Sequence, residues 1–192
     1  MVLMLSIDER TKLLNMASQA VTCAAEYHQQ IALPAENYSK TLLEHRATFV
    51  TLTKFGQLRG CMGALDAIES LVQNVMRNGF NAARRDPRFD PVAIGELDDI
   101  DIDISVLSPP VRLEVKSESE LLDRLRPGVD GLILEDGACR ATYLPSVWDQ
   151  LPDSSDFVRQ LKLKAGLPAS YWSPVMQCSV YTTEYFGAAM LK

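Results

Sequence analysis

An α+β fold, with mostly antiparallel hairpins flanked by helices, is predicted by three patterns in this sequence. Two runs rich in β-branched residues turn back on short signals, Lys54-Phe55-Gly56-Gln57 and Asp136-Gly137. Stretches with apolar residues at helical spacing lie around them, several opened by a capping pattern. No strand leads into GxGxxG, a P-loop or a GxSxG elbow, so doubly wound nucleotide-binding and hydrolase templates find no support. With 192 residues, 47% of them hydrophobic, the chain suits a single domain of two intertwined subdomains, approximately 1–110 and 111–192.

Ser6-Ile7-Asp8-Glu9 has the form of a capping box, and Leu13, Ala17, Ala20, Val21 and Ala24 then recur on one helical face, predicting a helix over about 8–29. Its small residues predict close packing on a sheet. Tyr27 and His28 at its end read as boundary residues, since nothing nearby supplies a second ligand. After a polar connector, residues 47–53 and 58–65 form the arms of the first hairpin. Asp66-Ala67-Ile68-Glu69 is a second capping pattern, and Ile68, Leu71, Val72, Val75 and Met76 make the stripe of a helix that reaches Asn78-Gly79.

Ile100, Ile102, Ile104 and Val106 alternate with Asp101, Asp103 and Ser105, the pattern of a half-buried strand. Aspartates two apart are what the solvated side of such a strand looks like, so no metal is expected there. Beyond Pro109-Pro110, Ser117 caps a short helix to about 126, and residues 132–135 and 138–144 flank a type I′ turn signal at Asp136-Gly137. Pro145 opens a helical turn, 156–165 forms a helix stopped by Gly166, and 175–186 is a final strand region.

A formal net charge of −6 and a pI near 5.0 argue against general affinity for nucleic acid or an anionic membrane. No run approaches a membrane span of about 18 apolar residues. The first residues lack a basic segment and a cleavage pattern, so a cytoplasmic location is expected. The four cysteines, at 23, 61, 139 and 178, show no metal-ligand spacing, and neither a metal nor a cofactor is expected.

The segment Leu58-Arg59-Gly60-Cys61-Met62-Gly63 carries the sharpest signal. Gly60 and Gly63 bracket a cysteine inside a strand, which predicts a bulge or a close approach of backbone or ligand at the thiol. In a regular strand Arg59 shares a face with Cys61, and a guanidinium beside a thiol favours the thiolate. The same residues also suit a small buried cysteine at a tight packing point. Arg84, Arg85 and Arg88 surround Asp86-Pro87, a pattern that fits either a cradle for phosphate or carboxylate or a helix end complemented by cations. The first reading requires that these arginines face the Cys61 hairpin.

Taken in order, Phe49-Val50-Thr51-Leu52, Leu58 to Gly63, Asn81-Ala82-Ala83, Arg85-Asp86-Pro87-Arg88-Phe89, Gly131-Leu132-Ile133-Leu134-Glu135, Ala141-Thr142-Tyr143-Leu144-Pro145 and Lys164-Ala165-Gly166-Leu167-Pro168 with Trp172 resemble the AMMECR domain family, known in prokaryotes as AmmeMemoRadiSam system protein A. The resemblance covers nearly the whole chain. Met62 departs from the usual isoleucine and Tyr143 from an aliphatic residue; both keep an apolar side chain. The resemblance implies a cytosolic α+β domain, of no assigned molecular activity, that works with a Memo-like protein and a radical SAM enzyme.

These readings converge on Cys61 as nucleophile or ligand to a small-molecule substrate, with Arg59 favouring the thiolate or anchoring an anionic group. His45, just before the first hairpin, is the candidate general base, and Glu135 at a strand end the candidate acid. The rival reading is a non-catalytic module in which the surfaces of Cys61 and residues 84–88 dock a protein or an effector.

Overall fold

The structure, a computed structural model, describes residues 4–187 and residue 190. The chain divides into two compact units: one runs to Leu107 and takes the chain back from Glu184, and the other is Ser108–Thr183. Each is built on a four-stranded antiparallel sheet, the first in the order β2-β1-β3-β8 and the second in the order β4-β7-β5-β6. The fold is therefore α+β, as the hairpin and cap patterns predict.

In the first unit, helix α1 (Ile7–Tyr27) begins at the predicted box: Ser6 Oγ accepts from Glu9 N, and the Glu9 carboxylate accepts from Ser6 N at 2.9 Å. A single turn, α2 (Lys40–Leu43), interrupts the polar connector. Strands β1 (Thr48–Lys54) and β2 (Gln57–Gly63) close on Phe55 and Gly56, both at positive φ, 50° and 74°, the pattern of a type I′ turn. Helix α3 (Leu71–Arg84) starts later than predicted, at a box formed by Ser70 and Gln73, and Ile68 is left exposed before it. It also runs on through Asn78-Gly79. Gly79 is where α3 meets α1: a Cβ there would stand 3.2 Å from the Ala17 carbonyl oxygen. The small residues of α1 thus serve a helix–helix contact.

Strand β3 (Ile100–Leu107) pairs with β1, and Ile104 and Val106 join Val50 and Leu52 in a face buried against Leu13, Ala17, Val21, Val72 and Val75 of the two helices. A buried polar knot ties α3 to β1. Asn74 Oδ1 accepts from the backbone N and the hydroxyl of Thr48 at 3.0 and 2.6 Å, and Asn78 Nδ2 donates to Asn74 Oδ1 at 2.8 Å.

In the second unit, β4 (Val111–Leu113), β5 (Gly131–Asp136), β6 (Cys139–Tyr143) and β7 (Gln177–Tyr181) make the sheet, with α4 (Glu118–Arg124) and α5 (Ser154–Lys164) packed on it. The second hairpin turns on Gly137-Ala138 rather than Asp136-Gly137. Asp136 pairs with Cys139 across it, and only Gly137 takes positive φ, the pattern of a type II′ turn in place of the predicted I′. Trp148 stacks on Phe157 at 3.8 Å and donates its indole N–H to the Asp130 carbonyl at 2.7 Å. The predicted final strand region is two strands in different sheets, β7 in the second and β8 (Thr183–Gly187) in the first.

Candidate functional site

Strand β2 is the edge of the first sheet, and its pairing with β1 slips by one residue: Leu52 faces Gly60 while Thr53 faces Leu58. Arg59 is the extra residue of this bulge, which breaks the alternation on which its alignment with Cys61 rested. Its guanidinium turns instead to Glu96, with Nη2 and Nε donating to the carboxylate at 2.8 and 3.1 Å, and to the Asp90 carbonyl at 2.9 Å. Lys54 joins the same carboxylate at 3.1 Å. The hydrogen bonds from Arg59 above all hold the Glu96 carboxyl at about 2, well below its usual range.

Cys61 is half-buried, on the sheet face turned away from α1 and α3. Thr51, directly opposite on β1, donates its hydroxyl to Sγ at 3.3 Å. The backbone of Cys61 is clamped from outside the sheet. Its N–H donates to Asp86 Oδ2 at 2.9 Å, and its carbonyl accepts from Arg88 Nη2 at 3.4 Å. Asp86 is buried, with only 2% of its side chain exposed, and Arg88 donates to it through Nη2 at 2.6 Å, Nε at 2.9 Å and the backbone N at 3.1 Å. Those bonds from Arg88 are the main reason its carboxyl sits at about 2. Asp86 in turn, and more weakly the nearby Cys61 thiol, favour the charged form of Arg88, whose side chain keeps 55% exposure.

The row continues across the sheet. Thr51 also pairs with Asp103 on β3, and Asp103 lies beside the hydroxyl of Tyr185 of β8, close enough for the two to interact. Burial pushes the Asp103 carboxyl up from its ordinary value, and burial followed by the Asp103 charge pushes the Tyr185 hydroxyl up to about 12. A Cβ at Gly187 would stand 1.9 Å from Asp103 Oδ1, so the missing side chain leaves the space that the carboxylate fills. Cys61, Thr51, Asp103 and Tyr185 thus form a polar line over β2, β1, β3 and β8.

The family model AMMECR1 matches residues 14–186. The chain belongs to the AMMECR1 family. A protein of Methanothermobacter thermautotrophicus is 39% identical over 95% of each chain, and one of Methanopyrus kandleri is 34% identical over 94% of this chain and 87% of its own. The crystal structure of an uncharacterised protein from Pyrococcus horikoshii superposes with a TM-score of 0.84 at 31% identity, covering 92% of this chain and 89% of that one.

Within this AMMECR1 chain the sequence-predicted residues separate. Gly60 and Gly63 mark close approaches as predicted, but each space is taken by the protein itself. A Cβ on Gly60 would lie 2.3 Å from the Ala82 carbonyl oxygen, and one on Gly63 would lie 2.3 Å from the Phe49 ring. Arg84 donates to the Ala24 carbonyl at 3.3 Å and meets His28, so it closes the C-terminal end of α1. Arg85 ends α3 and is exposed, its guanidinium 5.4 Å from the centre of the Phe80 ring. Arg88 alone of the three faces the Cys61 hairpin through a hydrogen bond among the described residues. His45 is exposed and pairs by its backbone with Ser70 at the head of α3; no hydrogen bond between described residues joins it to Cys61. Glu135 belongs to the second unit, where Arg140 Nε approaches its carboxylate at 3.0 Å.

Asp86 and Asp103 are the residues that sequence reasoning passed over. The first looked like the start of an Asp-Pro turn and the second like the wet side of a strand. Among the described residues no group of three or more metal-ligating side chains forms, and no helix is long and apolar enough to cross a membrane.

Proposed function

We propose that this AMMECR1-family protein carries a thiol site at Cys61 that takes a small anionic substrate, and that it acts with a Memo-like protein and a radical SAM enzyme. The observation that supports the reading is the clamp of Asp86 and Arg88 on the Cys61 backbone, beside a half-buried thiol that accepts a hydrogen bond from Thr51. The Thr51 hydroxyl and the Arg88 guanidinium thus place two N–H or O–H donors around the same residue, one on Sγ and one on its carbonyl. The exposed part of Arg88 offers N–H groups to a carboxylate or phosphate while Sγ serves as nucleophile or ligand. Asp103, two strands away and therefore about 10 Å from Cys61, is the polar group that meets the far end of such a substrate. The partnership rests on the family resemblance.

Peptide-resolved alkylation of the native protein tests this. Cys61 is expected to react well ahead of buried Cys178, whose thiol burial pushes up to about 11. Arg88→Ala and Thr51→Val are expected to slow Cys61 without unfolding the chain. A Cys61 that reacts only on unfolding would move the assignment to a docking module, for which Arg88→Ala weakens capture of the purified partners.

A further inference from the structure

A cavity lies away from the thiol, in the first unit, where α1, the connector after it and α3 meet. It encloses about 200 Å³. Its apolar wall is formed by Ile31, Leu33, Met76 and Phe80, and Glu69 and Arg77 also line it. Met76 and Phe80 are buried members of the core, so this wall is fixed by packing. The volume holds one side-chain-sized apolar body and is below the range of about 300–1,000 Å³ of sites for larger ligands.

The two charged residues are only partly spent on each other. Arg77 Nε stands 2.7 Å from Glu69 Oε1, yet it is sealed from solvent without the alignment of a hydrogen bond. Glu69 Oε1 also accepts from Asn74 Nδ2 at 3.0 Å, which anchors it to the buried knot on β1. Among the described residues no other side chain or backbone group engages the terminal guanidinium nitrogens of Arg77 or Oε2 of Glu69. Arg77 and Glu69 thus bring a fork of N–H donors and a carboxylate oxygen to the lining of a pocket that they share with Gln30, Gln73 and the apolar wall.

We propose that this cavity binds a free hydrophobic α-amino acid. The ligand carboxylate takes the terminal N–H groups of Arg77, its ammonium takes Oε2 of Glu69, and its aliphatic or aromatic side chain fills the wall formed by Ile31, Leu33, Met76 and Phe80. Both ligand charges meet an opposite charge, and the net charge of the site does not change on binding. A ligand with one charge alone adds that charge unbalanced to a site whose own two charges already pair, and leaves the terminal N–H groups of Arg77 or Oε2 of Glu69 without a polar partner when it excludes water, which is the source of selectivity.

The test uses the full chain and reads the methyl resonance of Met76 during titration with L-leucine, L-phenylalanine, isoamylamine and isocaproate. The two amino acids are expected to shift the signal saturably at millimolar concentration or below. Isoamylamine, which lacks the carboxylate, and isocaproate, which lacks the ammonium, are expected to bind about tenfold more weakly or worse. Arg77→Gln should bring leucine down to the level of isoamylamine. Glu69→Gln, which keeps an acceptor for Asn74, should bring it down to the level of isocaproate. Binding of isocaproate equal to that of leucine, unchanged leucine affinity in Arg77→Gln, or no shift with any probe would overturn the proposal.

Discussion

The carboxylate of Asp86 holds the backbone N–H of Cys61 at 2.9 Å, 25 residues back along the chain. Strand β2 is an edge strand, and an edge N–H needs an acceptor from outside its sheet. The segment after α3 supplies one, and the same carboxylate fixes Arg88 next to the thiol.

Asp86→Ala removes that acceptor from a buried position and releases Arg88. The expected loss is about 2–4 kcal/mol, read from urea unfolding, since a backbone donor and a guanidinium both lose their partner. Asp86→Asn keeps one acceptor and is expected to lose less. A loss below about 0.5 kcal/mol for the alanine variant would mean that the clamp does not hold the edge.

Acid should loosen this unit in a defined window. Asp86 and Glu96 sit at about 2 in the folded protein, against ordinary values of 3.8 and 4.5, so between those values the unfolded chain binds more protons. Their contribution is complete above the ordinary values and is lost as pH falls toward about 2. For buried Asp86 the gap between 3.8 and about 2 corresponds to about 2 kcal/mol. Urea midpoints followed from neutral pH into this window should fall, and fall less steeply in Asp86→Asn.

Gly60→Ala drives a methyl to 2.3 Å from a helix carbonyl, and that neighbour is backbone with little freedom to yield. A destabilisation of about 3 kcal/mol is expected from thermal or urea unfolding. Gly95→Ala, where a Cβ would meet nothing within 4 Å, is the control and should change stability little.

In the second unit, Lys162 is 1% exposed and donates twice to the Glu118 carboxylate at 2.9 Å. Glu118→Gln leaves a buried ammonium without its counter-charge and is expected to cost about 3–5 kcal/mol, whereas Lys162→Met, which removes the buried charge, stays within about 1 kcal/mol of the parent. Equal effects of the two variants in urea unfolding would contradict this asymmetry.

What was legible in the sequence follows from how local each signal is. The box at Ser6 and Glu9 and the turn at Phe55-Gly56 involve neighbours in the chain, and both form where predicted. The second cap shows the limit of this. Asp66 with Glu69 and Ser70 with Gln73 both have the spacing of a box, and the helix uses the second because Leu71, Val72 and Val75 are then buried while Ile68 is not. The glycines around Cys61 announced a close approach, but not by what. Asp86 became visible only when α3 brought it to the edge strand, and Asp103 only when β8 laid Tyr185 beside it. The turn of Arg59 away from Cys61 is not legible in one strand alone, because a bulge shows only against the partner register.

Strand β8 completes the first sheet only after the whole second unit has been made. During synthesis the first unit therefore waits, with β3 lacking its outer neighbour, while residues 108–183 leave the ribosome. The ends of that inserted unit are fastened to each other: Ser108 N donates to the Thr182 carbonyl at 2.8 Å, and Thr182 N donates to Ser108 Oγ at 3.0 Å. Once it folds, a flexible loop of many residues becomes a short rigid clasp, and the closure entropy of bringing β8 home falls with it. The topology thus favours folding of the inserted unit before the last strand docks and sets Tyr185 beside Asp103.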